Sequence, residues 1–198
     1  MKLFFDKITQ PYPIILLLFA CLVLSGVACK LDAGGPLPPY DPVPVSTEAA
    51  EELEKIVQNA DAGSDSSYLA FTLSEPQVSS FLVELLSNHA GFTFSDPQVY
   101  LRNQQVEIYG KIQHEYFEAD TCFIFRLLPA EDGTLKVYLL YGEIGMFRLP
   151  NEWLNGISSL LQEGIKITQL IKGTFSSALM IETLDISNGM ITVTGTNR

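Results

Sequence analysis

The stretch from Phe92 to Phe147 constrains this chain more than any other. It is a succession of apolar-alternating runs separated by breaks of a few residues. Strands joined by connections that short must run antiparallel, because a parallel return needs a crossover of about a dozen residues or more. "RNQQ" is a predicted hairpin turn between Val99–Leu101 and a strand from Val106 onward. There Val106, Ile108, Ile112 and Tyr116 alternate with Gln105, Glu107, Lys111, Gln113 and Glu115, which predicts one buried and one wet face. Gly110 interrupts the apolar side, as happens where a curved sheet bends or bulges. "TCFIFRLL" (121–128) and "LKVYLLYGEIGMF" (135–147) follow, joined through Asp132-Gly133, a tight-turn pair. Strict alternation over 135–147 places Val137, Leu139, Tyr141 and Phe147 on one face and Tyr138, Leu140, Ile144 and Met146 on the other. Such a strand must be covered twice or expose an apolar face.

Helices flank this run. "STEAAEELEKIVQNA" (46–60) has Ser46 or Thr47 as N-cap and a stripe of Ala49, Leu53, Ile56 and Val57. "YLAFTL" (68–73) reads as a strand. Ser74 then opens a capping box with Gln77, with Pro76 in the first turn. Val78, Phe81, Leu82, Leu85 and Leu86 recur at helical spacing, and the helix is expected to stop near Asn88–Gly91. Asn151 is the predicted cap of a third helix striped by Trp153, Leu154, Ile157, Leu160 and Leu161, carried through about Gln162. Ile165–Ile171 fits helix or strand. Leu179–Ile186 and Met190–Thr196 form a hairpin closed by Asn188-Gly189. The class is α+β: a curved antiparallel meander packed around amphipathic helices.

The N-terminus sets the compartment. Lys2 and Lys7 precede Ile14–Ala28, an apolar run of 15 residues that ends in small side chains. That suits the core of a secretion signal better than a spanning helix, which wants about 20 residues. Residues 1–29 are read as signal peptide or membrane anchor, 30–45 as a Pro/Gly-rich linker that needs no fold, and 46–198 as one domain. Two readings of Cys29 stand. Gly26-Val27-Ala28-Cys29 is a lipoprotein-like site with glycine where leucine is usual, making Cys29 the lipidated residue; alternatively the leader is an uncleaved anchor or an ordinary signal, with Cys29 incidental. Each reading places the domain outside the cytoplasmic membrane, and near it unless it is released.

A net charge of −11, with no basic stripe, argues against nucleic acid and against electrostatic adsorption to anionic headgroups. No metal-ligand spacing, phosphate loop or nucleophile elbow occurs. His89 reads as a helix C-cap and His114 as a strand-face residue rather than a general base. Cys122, in "TCFIF", reads as a buried inert thiol. Asp96, Glu107, Glu115, Glu118 and Asp120 read as a solvated sheet face. No catalytic residue is assigned.

Three stretches carry a resemblance: "LSEPQVSSFLVELL", "SDPQVYLRNQQVEIYGKI" and "ISNGMITVTGTNR". With the leader and proline-rich segment they resemble envelope proteins of the YpmS type and, more distantly, the LmeA-type phospholipid-binding proteins. The resemblance implies a tubular-lipid-binding-like fold that takes a phospholipid or another apolar molecule, with no cofactor. The expected function is therefore a membrane-tethered extracytoplasmic domain for membrane lipid or an apolar small molecule. Its candidate lining residues are Leu139, Tyr141, Phe147, Trp153 and Ile157, from the doubly apolar strand and the adjacent helix. Two alternatives accompany it: these side chains fill the domain's own core, or the domain is a non-catalytic scaffold that offers a sheet edge or helix to an envelope partner.

Overall fold

A computed structural model describes residues 31–62, 68–86, 93–131, 133–164 and 179–197. The leader with Cys29, the helix end at Asn88–Gly91 with His89, Asp132, and Ile165–Ile171 lie outside the described residues. The elements are β1 (Leu31–Asp32), α1 (Thr47–Ala62), β2 (Leu69–Ser74), α2 (Glu75–Leu86), β3 (Thr93–Arg102), β4 (Gln105–Gln113), β5 (Phe117–Pro129), β6 (Leu135–Ile144), β7 (Phe147–Arg148), α3 (Asn151–Gly164), β8 (Leu179–Ser187) and β9 (Met190–Asn197). The fold is α+β with mostly antiparallel sheet. The expected meander is present as β3-β4-β5-β6-β7, and β1 runs parallel to the start of β5. β2 and the C-terminal hairpin form a second sheet ordered β2-β9-β8.

Local chemistry explains the turns. Asn103 and Gln104 both have positive φ (50° and 62°), as do Asn188 and Gly189 (51° and 79°), so both hairpins close through two-residue turns that match the strand twist. At Asp96-Pro97 β3 carries one extra residue opposite Gly110. A Cβ on Gly110 would meet the Phe94 ring at 2.4 Å, so glycine is what allows that ring to cross the sheet. Helix starts follow their capping residues. The Ser46 hydroxyl accepts from Ala49 N–H at 3.1 Å, and Ser74 N–H donates to Gln77 Oε1 at 2.8 Å. α3 differs slightly: the Pro150 carbonyl accepts its first bonds, from Trp153 and Leu154, so the cap is one residue earlier than Asn151.

The main core lies between the two sheets, not between a sheet and the helices it was expected to wrap. Val99, Leu101 and Val106 of the large sheet meet Ile186, Ile191 and Val193 of the small one, with Val78 and Leu82 of α2 packed against them. The reason is that β2 pairs with β9 over six residues, which converts an isolated hairpin into a half-sandwich with its own apolar face.

α2 and α3 stand at the edges of the large sheet and satisfy it. On β3, Val99 N–H donates to Ser79 Oγ at 2.9 Å and Leu101 N–H to Glu75 Oε1 at 2.8 Å; Pro97, two residues earlier, has no N–H to offer. On β6, Leu139 N–H donates to Ser158 Oγ at 2.9 Å. Ser79 and Ser158 are buried. A sheet edge of unpaired donors invites other chains, and here helix side chains occupy it.

The proline-rich segment departs from expectation. Residues 31–45 pack across the outer face of the large sheet instead of forming a free linker. Leu31 N–H donates to the Tyr116 carbonyl at 3.0 Å, Ala33 N–H to Glu118 at 2.8 Å, and Asp120 N–H to the Gly34 carbonyl at 2.8 Å. Further along, Val43 N–H donates to Gln98 Oε1 at 2.6 Å, and Tyr100 Oη donates to the Asp41 carbonyl at 3.2 Å. Val43 is buried with Tyr100, Tyr109 and Cys122. Prolines restrict the unfolded segment, so fixing it on the tyrosines costs less entropy than fixing an ordinary chain.

Candidate functional site

The five candidate lining residues do not gather around one cavity. The cause is a single extra residue in β6. Phe125 pairs with Leu139, whereas Ile124 pairs with Tyr141, so Leu140 is left over and the alternation reverses there. Leu139 and Tyr141, expected on one face, point to opposite faces. Leu139 is buried with Leu149 and Leu154, flanked by Phe123, Phe125 and Ile157. Leu139 and Ile157 therefore help fill the domain's own interior. Tyr141 lies on the face covered by the proline-rich strap, residues 31–45, with Cys122 and Ile124. Its hydroxyl donates to the Glu143 carboxylate, which raises the phenol pKa, and the Arg148 guanidinium sits 4.8 Å from its ring centroid.

Phe147 and Trp153 are brought together, and at the surface. Their ring centroids are 6.2 Å apart in an edge-to-face arrangement. Phe147 is 53% exposed and Trp153 59% exposed. The positions follow from local geometry. Gly145, with φ of 59°, makes the turn between β6 and β7, and its N–H donates to the Asp120 carbonyl at 2.8 Å. That turn presents Met146 at 90% exposure and sends Phe147 back along β6. Leu149 then enters the core, where it packs beside Gly142, and Pro150 starts α3. Trp153 projects from the first turn of α3 while Leu154, next in sequence, is buried. Sequence reading placed Met146 on the apolar strand but not among the site residues. Its signal is its position in "GEIGMF", directly after a turn glycine.

A cavity of about 650 Å³ lies elsewhere, between the proline strap and the sheet. Pro39, Tyr40, Pro44, Glu75, Tyr100 and Arg102 line it. Arg102 is already paired with Glu75 and lies 5.3 Å from the Tyr40 ring centroid, so the cationic group there is committed. Lys111 is likewise held between Glu118 at 3.5 Å and Asp120 at 3.7 Å. Among the described residues, no group of three His, Cys, Asp or Glu side chains could hold a metal ion, and no helix is long and apolar enough to cross a membrane. Cys122 is a buried free thiol, as its apolar setting predicted, and burial pushes its pKa up. His114 stacks on Phe117 with ring centroids 5.6 Å apart. Compared with family models, curated proteins and solved structures, the chain matches none.

Proposed function

We propose that the chain is a membrane-tethered extracytoplasmic domain that binds membrane lipid through apolar surface and has no catalytic step. The observation that carries this reading is the pairing of Phe147 and Trp153 on the outside of the Leu139–Leu149–Leu154 layer. Two aromatic rings held in water beside an apolar layer are a poor arrangement for a free surface and a good one for lipid. An acyl chain laid on them gains about 0.8 kcal/mol per methylene removed from water, with no charged pocket required. The net charge of −11 fits a contact made without phosphate clamps. The apolar leader and the resemblance to YpmS-type and LmeA-type proteins support the same reading, and a tubular-lipid-binding-like relationship is part of the proposal. The scaffold alternative is weakened at the edges of the large sheet, where Ser79, Glu75 and Ser158 occupy strand donors.

The test is native mass spectrometry of the full chain released from membranes in mild detergent. A co-purified phospholipid mass, diminished in Trp153→Ala, is expected. A chain that carries no lipid at any detergent level would end the lipid-holding reading.

A further inference from the structure

The strap changes where the tether leaves the domain. As a free linker, residues 30–45 would give a few tens of ångströms of reach at roughly 3 Å per residue. With residues 31–34 clipped to the sheet, only Lys30 separates Cys29 from the folded body. Two residues span at most about 7 Å. The apolar run Ile14–Ala28 ends one residue before Cys29.

The chain enters at one particular end of the sheet. Leu31 is bonded to the β4–β5 turn at Tyr116, and Ala33 Cβ lies 3.1 Å from where a Cβ on Gly145 would stand, at the β6–β7 turn. Those two turns carry Tyr116 at 62% exposure and Met146 at 90%, and Leu31 itself is 66% exposed. Phe147 and Trp153 continue the patch from Met146. Five large apolar side chains, from β1, the β4–β5 turn, the β6–β7 turn, β7 and α3, are thus exposed at the end where the leader joins.

We infer that this end of the domain is seated directly in the interfacial layer of the bilayer that holds the leader, with Leu31, Tyr116, Met146, Phe147 and Trp153 as the inserted residues. The inference rests on the membrane-tethered reading above and names its surface and partner. An aromatic pair suits the boundary between headgroups and acyl chains, and Met146 is flexible enough to follow lipid packing. Lys111 is committed to Glu118 and Asp120 on the same half of the sheet; Arg148, exposed beside Phe147, lies over the Tyr141 ring, and Glu115 and Glu152 are exposed near the patch. The inserted groups are apolar, and the contact does not require anionic lipid.

Trp153 is the chain's single tryptophan, so it reports this contact without interference. The experiment reconstitutes the full chain in phosphatidylcholine vesicles with and without bromine on the acyl chains near the headgroup. Flotation measures tethering and Trp153 emission measures insertion. The expected result is a floating protein whose emission falls by roughly half in brominated vesicles, as for an aromatic residue at the interface. Met146→Glu and Phe147→Glu, both at exposed positions, are expected to float equally while recovering emission, with unchanged circular dichroism. A protein that floats with the same emission in both vesicle types overturns the inference and leaves the tether intact; a second copy or a protein partner on this end gives that result. A protein that does not float overturns the tethered reading itself.

Discussion

Leu140 decides where its neighbours point. As the extra residue of β6 it puts Leu139 into the core and Tyr141 under the strap. The bulge cannot be seen in the alternation of residues 135–147, because every position there that matters is apolar or aromatic. Leu139→Ala is expected to cost about 2–5 kcal/mol in urea unfolding, the range for a buried leucine. Leu140→Ala, at a half-open position, is expected to cost far less; equal losses would contradict the assignment. Glu107 is the other informative residue. It is buried on the strap side, and that burial pushes its carboxyl pKa up, with Arg102 pulling the other way. A raised folded-state pKa means that the folded protein holds the proton more tightly. The stabilisation is complete below the ordinary carboxylate range and is lost as pH rises through the raised value. The urea midpoint should therefore fall as pH rises above the ordinary carboxylate range, and Glu107→Gln should flatten that part of the profile. A wild-type profile identical to that of the glutamine variant would refute it.

At the scale of elements, the helices act on the sheet's edges as much as on its faces. α2 presents Ser79 and Glu75 to β3, and α3 presents Ser158 to β6. Removing such an acceptor leaves a buried N–H unpaired, so Ser79→Ala and Ser158→Ala are each expected to lose about 1–3 kcal/mol by chemical denaturation. Losses near zero would mean that water reaches these edges. Hydrogen exchange distinguishes the bound strap from a free linker. The amides of Leu31, Ala33 and Val43, each bonded to the sheet, should exchange much more slowly than that of exposed Leu37. The helix periods, the capping box at Ser74 and both two-residue hairpins were legible in the sequence, because each is set by residues a few positions apart. Helix docking was not legible: Ser79 and Ser80, the most buried residues of α2, break its apolar stripe and look like surface positions.

For the whole molecule, the strap and the patch are one arrangement. The segment that follows the apolar N-terminal run is the segment whose Val43 packs on Tyr100, Tyr109 and Cys122. A chain beginning at Ser46 lacks that cover. It also lacks Cys21 and Cys29, so Cys122 is its one thiol. It is expected to denature earlier than the full chain and to react with a thiol reagent under native conditions. In the full chain, peptide mapping should find Cys122 unlabelled until unfolding. An unreactive Cys122 in the shortened chain would show that the strap protects nothing.

The order of residues alone sets an apolar N-terminal run and an acidic remainder, the order of helices and strands, their antiparallel connection and the turns that close them. All of these are written in periodicity and in the conformational limits of single residues. Long-range packing sets which faces the β6 residues occupy, which strands share the second sheet, and that the proline segment lies on the tyrosines. Register and docking depend on contacts between residues far apart in the chain, and one extra residue in a strand reverses every face beyond it.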